Sequence, residues 1–230
     1  MKKKEVRVAI IDNSIDRNIY DPIRHWTGFL NIKWESFRAK KNDFPEEIEK
    51  DFTHVLLTGS EASIMDRPDW VIDEIEFVKE TAYKKIPIMG SCYGHQMIAL
   101  ALEGPQCVQR SSFPEIGWIP IKISKDNLLL GNKGIFYSFS IHFDEVIGLS
   151  SDFEILASTE PCPIQAFQKR GESIWGIQSH PEISPSEGKT LLKNLIKHGK
   201  EPLDIYKKVL NSVPKDSEYI DRIIDTFINY

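Results

Sequence analysis

Short apolar runs alternate with helix-spaced stretches over the first hundred residues. Residues 6–11 (VRVAII) are a β-branched apolar run that ends at Asp12-Asn13-Ser14, the pattern of a buried strand closing in a turn. Between 19 and 30, Ile19, Ile23, Trp26 and Leu30 step by three and four, which predicts a helix with one apolar face. Residues 32–37 alternate as a second strand, and 54–58 (HVLLT) run straight into Gly59-Ser60, where the chain must turn. Val71, Ile75 and Val78, with Ile72 and Tyr83 beside them, predict the next helix. Residues 86–89 (IPIM) predict a fourth strand, and 95–102 a helix after Gly90-Ser91-Cys92-Tyr93-Gly94. Strands alternating with helices make βαβ units, hence an α/β fold with a mostly parallel central sheet and helices on both faces.

Beyond Gly104 the pattern changes. Runs at 116–123, 134–139, 153–157, 164–168 and 173–178 predict closely spaced strands, a mixed or antiparallel extension of the same sheet. Leu191, Leu192, Leu195 and Ile196 form the stripe of a closing helix over 186–198. The chain divides there into residues 1–198 and a C-terminal helical extension, 199–230. In the extension, Tyr219, Ile220, Ile223, Ile224, Phe227 and Ile228 repeat with a helical step after Pro214, so a short helix either docks on the parent domain or meets a partner.

Composition narrows the class. With 230 residues, 41% hydrophobic and 27% charged, the chain is a globular domain and neither disordered, collagen-like nor coiled coil. No window approaches about 18 consecutive apolar residues, so no membrane span is expected. Twenty-nine basic against 34 acidic side chains leave a net charge of −5, which disfavours a broad nucleic-acid surface. Lys2-Lys3-Lys4 meets Glu5 at once and reads as a solvated terminus. The three cysteines, Cys92, Cys107 and Cys162, contain no C-x-x-C pair and the chain opens without an apolar leader, which points to a reducing, cytoplasmic compartment.

The chemistry centres on Gly90-x-Cys92-x-Gly94, between an apolar strand and a helix. Small residues on either side of a nucleophile permit the tight strand-to-helix turn that lifts its side chain above a sheet. The N–H groups at the helix start favour negative charge, which suits an attacking sulfur and the oxyanion it creates. A second segment, Ser179-His180-Pro181-Glu182, follows the strand at 173–178. In extended chain, residues two apart point the same way, so His180 and Glu182 can meet and the carboxylate can orient the imidazole. Ligand sites in such sheets lie at the strand C-termini, where both segments fall. Cysteine, histidine and an orienting acid are an acyl-transfer set. A metal set of His142, Asp144, His180 and Glu182 leaves the cysteine turn unexplained, and neither metal nor cofactor is expected. An α/β-hydrolase places its acid well before its histidine, the reverse of the order here. His95 reads as structural, Cys107 and Cys162 as packed thiols, and Trp118 and Trp175 as core or pocket wall.

The ordered segments VLLTGSEAS, PIMGSCYGHQMIALAL, FPEIGWIPI, PCPIQAF and GIQSHPE resemble the class I (triad-type) glutamine amidotransferases, within them the stand-alone branch similar to the glutaminase domain of GMP synthetase. The resemblance covers about residues 5–198 and implies a flavodoxin-like fold. It implies that Cys92 is the nucleophile, His180 the general base and acid, and Glu182 the third triad member. It further implies an oxyanion hole from the backbone N–H groups of Tyr93 and of the Gly59-Ser60 turn, and a substrate contact from Gln96. Two departures stand out. Ser60-Glu61 replaces Gly-Pro, which restricts φ at Ser60. In Ile141-His142-Phe143-Asp144, which resembles a Ser-His-Gly-Asp element near the substrate's amino-acid end, Phe143 replaces glycine and crowds the wall. The implied activity is hydrolysis of a small γ-glutamyl amide through a γ-glutamyl thioester. No synthetase motif follows, so ammonia would go to a synthetase on a separate chain. The alternatives are a stand-alone γ-glutamyl hydrolase releasing a larger amine, or a non-catalytic binding or regulatory subunit with the same fold.

Overall fold

The computed structural model describes residues 5–230; Lys2-Lys3-Lys4 lie outside the described residues. The first half supplies β1 (Arg7–Asp12), β2 (Lys33–Arg38), β3 (His54–Leu57) and β4 (Ile88–Ser91). The second supplies β5 (Val108–Ile123), β6 (Gly134–Val146), β7 (Phe153–Ser158), β8 (Ala166–Lys169) and β9 (Ile174–Ile177). Among the described residues these nine form one sheet in the order β2-β1-β3-β4-β9-β8-β7-β5-β6. From β2 to β9 every pairing is parallel, and from β9 to β6 every pairing is antiparallel. The expected parallel sheet with an antiparallel extension is what forms.

Seven helices cover it: α1 (Pro22–Thr27), α2 (Ile48–Asp51), α3 (Trp70–Tyr83), α4 (Tyr93–Glu103), α5 (Pro185–Lys197), α6 (Leu203–Leu210) and α7 (Ile220–Asn229). Strand alternation sorts the core into two layers. Ala9, Ile11, Val55, Leu57 and Ile88 pack with Val71, Val78, Met97 and Ile98 of α3 and α4, whereas Val8, Ile10, Leu56 and Met89 pack with Trp26 of α1. Ile220, Ile223, Ile224 and Phe227 of α7 join that second layer, so the terminal helix docks on the parent sheet. Each such side chain contributes about 1.5–3 kcal/mol when buried.

Several boundaries differ from the pattern-based reading for identifiable reasons. The first helix begins only at Pro22, where a proline suits the opening turn and Asp21 caps it. The fourth helix starts directly after Cys92. β5 and β6 extend well past 116–123 and 134–139, because their added halves bury the polar side chains Ser140, His142, Asp144 and Glu145 and so lack an apolar signature. Their register shifts between Arg110 and Glu115, around Pro114, which has no N–H for the ladder. α6 has no counterpart among the expected elements; it packs with α5 through Tyr206 in a third apolar cluster. Among the described residues no helix is long and apolar enough to cross a membrane.

Candidate active site

β4 and β9 are parallel neighbours, with Ser91 opposite Ile177, so the residues after their ends emerge side by side. Cys92 follows β4 with φ 48° and ψ −104°, a conformation that costs a non-glycine residue about 1–3 kcal/mol. Three hydrogen bonds hold it: Cys92 N–H to the Ile177 carbonyl (2.8 Å), Gly94 N–H to Thr58 (3.1 Å) and Gln96 N–H to Cys92 (3.1 Å). The flanking glycines are needed for clearance. A Cβ at Gly90 would lie 2.4 Å from the Gly94 carbonyl oxygen, and one at Gly94 2.3 Å from that of Leu57. Tyr93 opens α4, so its N–H has no acceptor within the helix.

Beyond β9, the His180 N–H donates to the Phe139 carbonyl of β6 (2.8 Å), pinning the loop. His180 Nδ1 lies 2.8 Å from Glu182 Oε1, with both side chains buried. Burial alone would lower the pKa of this ring, but the Glu182 carboxylate and the Cys92 sulfur together outweigh it and push the value up to about 10. Tyr20 completes the arrangement. Its hydroxyl donates to Glu182 Oε1 (3.3 Å), lies 3.5 Å from His180 Nδ1, and is itself held protonated by burial and by the nearby acids.

Cys92, Tyr93, His180 and Tyr20 border a cavity of about 280 Å³. Ser60, Gln96, His142 and Phe143 border it too, so the expected site residues converge, with Gly59 immediately behind. A Cβ at Gly59 would come 2.7 Å from His180 Cε1, which explains the glycine. Ser60 has no positive φ, so serine fits that turn without strain, and the Gly59 and Ser60 amides meet no protein acceptor among the described residues. Gln96 is already engaged: its Nε2 donates to the Asp144 carbonyl (2.9 Å) and to Gln178 Oε1 (3.2 Å), leaving its carbonyl oxygen for a ligand. Both ring nitrogens of His142 face protein acceptors as well, the Asp144 carbonyl (3.0 Å) and Glu115 Oε2 (3.2 Å).

A family model described as glutamine amidotransferase class-I matches residues 9–198. The chain belongs to this family. Its curated relatives include a stand-alone subunit of the glutamine-hydrolyzing GMP synthase of Sulfolobus acidocaldarius, 35% identical over 150 residues, which are 64% of this chain and 77% of that one. The glutamine-hydrolyzing GMP synthase of Caldicellulosiruptor saccharolyticus is 36% identical over 151 residues, 65% of this chain but 28% of that longer protein. Among solved structures, a glutamine amidotransferase from Thermotoga maritima superimposes with a TM-score of 0.77 at 20% identity, covering 99% of this chain and 98% of that one, a likeness of fold.

Within this amidotransferase, several cavity residues escaped the sequence reading. Tyr20 sits on an irregular loop after β1 with no local motif. Glu61 accepts from the Ile15 and Asp16 N–H groups (2.8 and 2.9 Å) and so clamps that loop. Asp144 accepts from the Ser63 hydroxyl and the Ile64 N–H (2.6 and 3.1 Å) and pairs with Arg110 at 3.2 Å. Lys200, Glu201 and Tyr206, from beyond residue 198, also line the cavity. Behind His142 lies a second group: ligand-type atoms of Glu115, His142 and Cys162 fall within 4.8 Å of one another. Glu115 Oε2 already accepts from Thr159 Oγ1 (3.0 Å) and Gln165 Nε2 besides facing His142, so donors occupy the place a cation would take. His95 is buried against the Phe167 ring at 4.7 Å between centroids, a packed residue of the core.

Proposed function

We propose that the chain hydrolyses a γ-glutamyl amide, with Cys92, His180 and Glu182 as a catalytic triad. The observation that carries this reading is the strained turn that presents Cys92 beside a histidine whose other face is held by a buried carboxylate. Cys92 Sγ attacks the γ-carbonyl carbon and forms the S–C bond. The oxyanion faces the Tyr93 N–H and the Gly59-Ser60 amides; one such donor is typically worth about 10²–10³ in rate. The C–N bond then breaks as His180 gives its proton to the departing nitrogen, leaving a γ-glutamyl thioester. His180 takes a proton from water, hydroxide adds to the thioester carbon, and glutamate and the Cys92 thiol are released.

The relatives' names support glutamine as substrate and ammonia as the amine. The Sulfolobus relative, itself one subunit of a GMP synthase, and a longer GMP synthase of which this chain matches 28%, support delivery of that ammonia to a synthetase on a separate chain. A second reading, release of a larger amine by a stand-alone hydrolase, is favoured by the cavity wall that the segment after residue 198 adds. The test is glutamate release from glutamine and from γ-glutamyl amides by the wild type and Cys92→Ala, together with labelling by a glutamine-analogue electrophile. Turnover and a label on Cys92, both lost in the variant, are expected. No turnover and no adduct would instead leave a non-catalytic subunit.

A further inference from the structure

Five cavity residues follow His180 in the chain: Leu191 and Leu195 on α5, then Lys200, Glu201 and Tyr206, the last three beyond the end of the family match. Leu191, Leu195 and Tyr206 share one apolar cluster with Tyr20, the residue seated on the His180–Glu182 pair. A leaving amine takes its proton from the catalytic histidine and therefore departs on that histidine's side of the cavity. The wall built by α5, α6 and the link between them stands on that side.

The charges around the cavity are otherwise engaged. Glu61 holds two backbone N–H groups, Asp144 is paired with Arg110 and Ser63, His180 with Glu182, and Glu201 accepts from the Leu203 N–H at 3.0 Å. Lys200 is the exception: among the described residues its ammonium has neither an ion pair nor a hydrogen bond. Its backbone is nevertheless fixed, with the N–H donating to the Leu195 carbonyl at 3.0 Å. An unpaired cation on an anchored backbone, at the rim of an apolar wall, is a receptor for an anion.

We propose that Lys200, with Leu191, Leu195 and Tyr206, forms a leaving-amine subsite that selects γ-glutamyl amides whose amine bears a carboxylate, as in γ-glutamyl amino acids. This rests on hydrolysis at Cys92 as proposed above and takes up the larger of the two leaving groups. Lys200 is exposed, so solvent screens the contact and the selectivity it gives is moderate.

The test is kcat/KM, by glutamate release from the full chain, for γ-glutamylglycine, γ-glutamylglycinamide and glutamine. The wild type should prefer the carboxylate to its carboxamide. Lys200→Ala should cut that preference about tenfold, the scale of one charge-assisted hydrogen bond, and Lys200→Glu should reverse it. Lys207→Ala, next to Tyr206 on α6 but outside the cavity lining, should leave the ratio as it was. Absence of a wild-type preference, or a ratio that Lys200 variants do not move, overturns the proposal. So does an equal loss on all three substrates, which would assign Lys200 to the α-carboxylate of the glutamyl group. If nothing turns over and Cys92 takes no label, the hydrolase reading itself falls, a result distinct from hydrolysis without amine selectivity.

Discussion

Cys92, His180 and Glu182 share their residue types with Cys162, His142 and Glu115, yet the two groups differ in the features that govern reactivity. Cys92 has a positive φ and opens on the cavity, whereas Cys162 is fully buried in a turn closed by its own bonds with Thr159. Glu182 receives His180 and the Tyr20 hydroxyl and has an oxygen, Oε2, without a partner. Glu115 concentrates three neighbours on one oxygen, and both nitrogens of His142 are held. Burial, then the charges of Glu115 and Glu145, push the Cys162 thiol up to about 12, so it stays protonated across the physiological range. Residue type does not make a nucleophile. Backbone strain, access and an unfilled hydrogen-bonding valence do, and they favour the first group.

The sharpest way to break this comparison is to remove each sulfur. Cys92→Ala should lower glutamate release by at least about 10³, because covalent catalysis has no substitute, while Cys162→Ala should stay within about twofold of wild type. A comparable loss in both would mean that the second group takes part in the reaction. Next in size come the partners of the first group. His180→Ala should cost about 10³ and Glu182→Gln about 10², since the acid orients the ring while the ring moves the proton. Equal losses would assign Glu182 a larger role.

The pH profile sharpens the same point. A pKa of about 10, above the usual 6.5, means that His180 keeps its proton through neutral pH and loses it as the pH rises through 10. Its contribution to folded-state stability is likewise fully present below about 6.5 and is lost over that alkaline range. The proton needed by the leaving amine disappears with it, so the alkaline limb of kcat/KM should lie well above 6.5. In Glu182→Gln the leading charge that holds the proton is gone, and the limb should move toward neutrality. A limb that stays in place in the variant would show that Glu182 does not set it.

Much of the reactive group was legible because its local geometry is written in contiguous residues. Small residues around Cys92 mark a strand-to-helix turn, and the x-Pro-x spacing of His180 and Glu182 puts both on one side of an extended segment. The parallel half of the sheet was legible for a related reason, since strands buried on both faces must be apolar throughout. What escaped depends on contacts distant in sequence. Tyr20 reaches His180 across 160 residues, held by a loop whose clamp, Glu61, is 45 residues from the nearer N–H it binds. The added halves of β5 and β6 carry buried Ser, His, Asp and Glu, which mimic a loop until the partner strand satisfies them. The link between α5 and α6 shows no motif, and its place at the cavity follows only from the packing of Tyr206.

A third prediction concerns the second group as a structural element. Glu115→Ala leaves His142, Thr159 and Gln165 without their common acceptor in a nearly buried site. An unsatisfied buried polar group costs about 1–3 kcal/mol, which in a chain of this size lowers Tm by roughly 2–10 °C. Activity should fall less than in Glu182→Gln when both are assayed below their Tm. A large loss of turnover in Glu115→Ala without a Tm change would give Glu115 a part in the chemistry.

The smallest effects come from the matched hydroxyls, one on each carboxylate: Tyr20 on Glu182 at 3.3 Å and Thr159 on Glu115 at 3.0 Å. Tyr20→Phe removes one neutral donor and keeps the ring. One such bond is worth about 0.5–1.5 kcal/mol, so kcat should fall roughly two- to tenfold. The alkaline limb should move slightly upward, because a carboxylate freed of that donor attracts the His180 proton more strongly. Thr159→Val removes the matching donor from Glu115 and should register in Tm, with kcat and the pH limb unmoved. If the two substitutions gave the same pattern, the distinction between a reactive and a structural Cys–His–Glu group would lose its basis, since these hydroxyls differ chiefly in which carboxylate they serve.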